Sequence, residues 1–122
     1  MASLEKTAKR TVKKFHSAFV GIKAGLLYDR SILVQVILAV ITVVVFSFLS
    51  LNAVEWLFIV SAIFVVLITE FLNSAIEDVC DLLIQKYDLH VKEIKDIAAA
   101  AVLLAAIYAI VVALIILAGR IL

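Results

Sequence analysis

No proline occurs anywhere in this chain of 122 residues, and glycine occurs only at Gly21, Gly25 and Gly119. Helix breakers are therefore scarce, and long helices can run without interruption. The single cysteine, Cys80, excludes an intrachain disulfide and a thiolate zinc site. The two histidines, His16 and His90, lie far apart without metal-type spacing and read as solvated or interfacial side chains. No GxxxxGK(S/T) loop and no soluble-kinase signature is present. A signal peptide is not expected, because charged residues recur from Glu5 to Arg30 before the first long apolar run. With a net charge of +1, bulk charge excludes no class of partner.

What is abundant is apolar surface. Hydrophobic residues make up 66% of the chain, and mean hydropathy is +1.25, far above the usual soluble globular range. The composition reads as a single-domain, all-α integral membrane protein, with an N-terminal amphipathic surface helix and three transmembrane helices.

Residues 1–30 carry the surface helix. Leu4, Ala8, Val12, Phe15, Phe19, Ile22 and Leu26 recur at steps of four and three, with Lys6, Lys9, Arg10, Lys13 and Lys14 on the remaining surface. A cationic face beside an apolar stripe suits a helix lying on an anionic membrane. Residues 31–54 are uncharged and long enough to cross a hydrocarbon core of ~30 Å. The second span is read at 56–80 and begins at Trp56, an interfacial residue type. The third is read at 96–119. Small residues at Ala101, Ala105, Ala109 and Ala113 give that third span a face another helix can approach closely. Three thin spans cannot cover one another's polar groups, so a homo-oligomer is expected.

Lysine and arginine set the orientation. Seven precede the first span, none lies between the first two, three (Lys86, Lys92, Lys95) lie between the second and third, and Arg120 follows the third. The N-terminus and the 82–96 segment are therefore expected in the cytoplasm.

The stretch TEFLNSAIEDVCDLLIQ, residues 69–85, departs from the pattern. At ~100° per residue, Glu70, Asn73, Glu77 and Asp81 share one narrow stripe, with Asp78 off to the side. Counted from Trp56 at ~1.5 Å per residue, Glu70 lies about 21 Å into the membrane. That leaves it roughly 9 Å short of the cytoplasmic edge of the hydrocarbon core. A carboxylate there costs a few kcal/mol unless it has a cavity, a partner or a ligand. A helix simply emerging into water accounts for Asp78 and Asp81 but poorly for Glu70 and Asn73. A deep carboxylate can accept a proton from a lipid hydroxyl, and interfacial carboxylates can hold Mg²⁺ together with phosphate. Lys95, beside Asp96, can pair with phosphate or simply snorkel.

EFLNSAIEDVCDL resembles the E-x-x-N-(S/T)-A-I-E-x-x-x-D signature of the prokaryotic diacylglycerol kinase family, which includes the undecaprenol kinases. KDIAAAAVLLAA is similar to that family's K-D-x-x-x-A-A-V-L segment. The resemblance extends over nearly the whole chain. It implies a homotrimeric kinase of the bacterial inner (plasma) membrane, using MgATP to phosphorylate a lipid alcohol, diacylglycerol or undecaprenol. The bilayer is an expected partner and nucleic acid is not. Carried over by motif, Glu70 is the catalytic base and Asn73 its polar neighbour. Glu77 binds metal, and Asn73, Asp81, Lys95 and Asp96 serve the nucleotide and phosphate region. Arg10 matches a nucleotide-contacting position in the surface helix. Asp29 stands where the family has a glutamate that is a second metal ligand, one methylene longer. Asp88 follows Tyr87 where the family often has histidine. The competing reading is a non-catalytic oligomer whose buried acids form an ion path or an assembly contact. The first and third spans offer almost no polar groups on the outer half, which argues against a path.

Overall fold

Asp29 ends one helix and starts the next. Its extended backbone breaks the helical run, while its N–H still reaches the Gly25 carbonyl at 3.0 Å. Its Oδ1 accepts from the N–H groups of Ser31 at 2.9 Å and Ile32 at 3.2 Å, satisfying donors that a new helix leaves open. The computed structural model describes residues 1–122 as four helices: α1 (Ala2–Tyr28), α2 (Arg30–Ser47), α3 (Ala53–Leu83) and α4 (Leu89–Ile121). No strand is present.

The last three helices are each long and apolar enough to cross a membrane. The uncharged run 31–54 is not one helix. α2 stops at Ser47, and the chain turns through Ser50, whose φ is 54°. Asn52 and Glu55 then cap α3 reciprocally, at 2.9 and 3.1 Å. The 18 residues of α2 span about 27 Å, just short of a ~30 Å core, whereas α3 and α4 are longer than the core needs. Asp88 caps α4 by accepting from Val91 N–H at 3.0 Å.

Only 11 of the 122 residues are buried, and large apolar side chains are exposed along every helix. That surface is what a bilayer covers. The core cluster is Phe46, Ile59, Ala62, Val112 and Ile116, where the ends of α2 and α4 meet the start of α3. α3 and α4 form the closest helix pair. Glu55 and Arg120 form an ion pair at one end of it. Asp81 and Lys95 pair at 2.5 Å at the other, and Ser61 Oγ and Tyr108 Oη lie 3.1 Å apart between them. The small-residue face of α4 is partly used inside the chain. Ala105 is buried, and Ala109 and Ala113 pack against the core cluster.

α1 has no buried residue. Its contacts lie at its C-terminal end, where Gly25 comes so close to Phe71 of α3 that a Cβ there would sit 2.5 Å from the ring.

Candidate active site

Glu70 is the one charged side chain that α3 buries, at 6% exposed. Its single side-chain hydrogen bond comes from α2, where Gln35 Nε2 donates to Glu70 Oε1 at 3.4 Å. This is long for such a bond, as resting sites often are before substrate tightens them. Arg30, Ser31, Val34, Gln35 and Glu70 line a polar cleft of about 300 Å³. An apolar groove of about 380 Å³ runs between α2, α3 and α4, with Thr42 and Gln35 as its polar members. Gln35 lines both spaces.

One turn further along α3, Asn73 Nδ2 donates to Glu77 Oε1 at 3.2 Å. Asn73 Oδ1 is buried and has no partner within the chain. Asp29, at the start of α2, and Glu77, two turns on along α3, are the carboxylates that flank Glu70 along the chain of elements. No three carboxylate, imidazole or thiol side chains converge as a ready metal cage. Mg²⁺ bound with a nucleotide needs only one or two carboxylates, the phosphates and water supplying the rest. The donors here fit that demand. Asp29 uses only Oδ1 in capping and Glu77 only Oε1 in its bond to Asn73, so each keeps a free oxygen.

The remaining candidate residues divide. Asp81 is brought to Lys95 across the α3–α4 pair, beside Glu77 and Cys80. Asp96 pairs with Lys92 of its own helix at 2.7 Å, on an exposed face. Arg10 stays apart from the other groups. It lies fifteen residues before Gly25, the point where α1 meets α3, which is about 22 Å along the helix. Gln35 and Arg30 are the site residues that sequence reasoning did not assign. The available signal was Gln35 itself, an amide inside an otherwise apolar span.

The family model for prokaryotic diacylglycerol kinase matches residues 16–117. A diacylglycerol kinase of Escherichia coli (strain K12) is 30% identical over 102 residues, covering 84% of each chain. One of Shigella flexneri matches to the same extent. One of Synechocystis sp. is 34% identical over 106 residues, covering 86% of this chain and 61% of its own.

Proposed function

The chain belongs to the prokaryotic diacylglycerol kinase family, and on that premise we propose that it is an ATP-dependent lipid kinase. It transfers the γ-phosphate of MgATP to the hydroxyl of a membrane lipid alcohol of the diacylglycerol or undecaprenol type. The observation that carries this reading is the buried Glu70, held by Gln35 where a polar cleft adjoins an apolar groove. A carboxylate in that position can meet a hydroxyl borne on a hydrocarbon chain. An amphiphilic acceptor needs both surroundings.

Glu70 takes the hydroxyl proton as the oxygen attacks the γ-phosphorus, and the bond to the β–γ bridging oxygen breaks to release ADP. Glu77 and Asp29 would hold Mg²⁺, which when bound neutralises charge on the phosphate oxygens. Asn73 orients Glu77 through their hydrogen bond. Lys95, already facing Asp81, supplies positive charge at the cytoplasmic end, Asp96 belongs to that nucleotide-side region, and a nucleotide contact by Arg10 rests on the family motif alone. The same reading places the protein in the inner (plasma) membrane with its N-terminus in the cytoplasm. Its homotrimeric state rests on the family resemblance alone.

The test is steady-state phosphotransfer in detergent, together with nucleotide binding. Glu70→Gln keeps size and hydrogen bonding but removes the base. Turnover should fall by about 100-fold or more, with MgATP affinity within a factor of two. Glu77→Gln should weaken MgATP binding as well as turnover, with partial recovery in excess Mg²⁺. Near-normal turnover in Glu70→Gln would refute the base, and unchanged metal dependence in Glu77→Gln would refute the ligand.

A further inference from the structure

α2 is apolar almost throughout, and its later polar side chains turn back on their own helix. Thr42 Oγ1 donates to the Leu38 carbonyl at 2.8 Å, and Ser47 Oγ to the Val44 carbonyl at 2.6 Å. Gln35 behaves differently. Half-buried, it reaches across to α3 and bonds Glu70, 35 residues away in sequence. It is also the one residue common to the polar cleft and the apolar groove. An amide facing hydrocarbon is costly unless it is bonded, and the bond made here is to the buried carboxylate.

We propose that Gln35 is a positioning residue for Glu70. Its Nε2–H holds Glu70 Oε1, leaving Oε2 to take a proton from a hydroxyl that arrives where the groove opens into the cleft. The inference rests on the kinase reading above and deepens it. A carboxylate on a flexible side chain can rotate away from its substrate. A donor fixed on a neighbouring helix limits that rotation and stays in place as the proton moves. A lipid whose chain lies in the groove must also bring its hydroxyl past Gln35 to reach Glu70. Gln35 touches no reacting atom in this scheme and acts only through Glu70.

The experiment uses the full-length protein in detergent micelles with MgATP, and with diacylglycerol or undecaprenol as acceptor. Gln35→Met keeps the volume and removes the donor. It should lower kcat by about 10- to 100-fold, leave KM for MgATP within twofold, and leave the thermal midpoint unchanged or raised. Ser47→Ala deletes a polar group of α2 that lines neither the groove nor the cleft and should retain wild-type kcat, because Ser47 bonds only its own helix. The deciding comparison is the double variant, followed by transfer of radiolabelled phosphate. Adding Gln35→Met to Glu70→Gln should slow transfer no further, since a residue acting through Glu70 has nothing left to act on. If Gln35→Met fails to fold, Gln35→Asn replaces it: the amide remains, but the side chain is one methylene too short to reach, and kcat should fall alike. Wild-type kcat in the folded Gln35 variant would overturn the proposal, as would an equal further loss in the Glu70→Gln background. Absence of transfer by the wild-type protein to either alcohol would overturn the kinase reading and this inference with it.

Discussion

Asp29 serves two neighbours with one carboxylate. Oδ1 caps α2 through Ser31 and Ile32, and Oδ2 is left free near Glu70. The short aspartate suits the first task, since an N-cap needs a side-chain oxygen close to its own backbone. A glutamate, one methylene longer, would be a poorer cap here. The two tasks separate by substitution. Asp29→Asn keeps the cap, so the thermal midpoint should hold, but it removes the charge, and the Mg²⁺ needed for half-maximal rate should rise severalfold. Asp29→Ala should show the same rise and also lose about 1 kcal/mol of stability. An unchanged Mg²⁺ titration in Asp29→Asn would leave Asp29 as a cap alone.

Among the elements, α1 depends on a small area. Its one close approach to α3 is at Gly25, where an added Cβ would stand 2.5 Å from Phe71 Cε1 and 3.1 Å from Ile32 Cδ1. Phe71 is adjacent to Glu70, so the packing of α1 bears on the site. For Gly25→Ala two effects compete. Helix propensity favours alanine by ~1 kcal/mol, while overpacking typically costs ~1–3 kcal/mol. The contact is shorter than carbon atoms tolerate, so the steric cost should win. The variant should melt lower and turn over more slowly, and Phe71→Leu should restore much of both in that background. A Gly25→Ala protein more stable than wild type would mean the ring swings aside freely.

At the scale of the molecule, the distribution of charge fixes the frame. Glu55 and Arg120 meet at one end. Asp81, Lys95, Lys92 and Asp96 lie at the other, with seven further cations at or before Arg30. By the positive-inside rule the crowded end is expected to face the cytoplasm. Cysteine labelling of intact cells in a Cys80→Ser background tests this. Val54→Cys suits the outer position because Asn52 is engaged in a cap, and Lys86→Cys marks the inner loop. An impermeant reagent should label Val54→Cys and spare Lys86→Cys. The opposite pattern would invert the assignment. Assembly has its own expectation. Ala105 is buried within the chain and Leu114 is 60% exposed, so Ala105→Leu should lower the thermal midpoint of the fold itself, whereas Leu114→Ala should not. Equal midpoints would return the alanine face to intersubunit contact.

The sequence by itself determined the all-α membrane architecture, the amphipathic first helix and the acidic stripe of α3. Each depends on periodicity and hydropathy within one continuous segment, and local spacing fixes both. The end of α2 at Ser47 was hidden, because the apolar run continues to Val54 and carries no breaker; capping of α3 by Asn52 and Glu55 decides it. Helix pairing was equally invisible. The alanine face of α4 signals close approach, but only the packed chain assigns part of it to the internal core. The same holds for Gln35 and Glu70. Each sequence position names a polar group at a membrane depth, yet their contact depends on the rotation and register of α2 against α3. Those are set by the sum of many small apolar contacts between helices, which no single segment encodes.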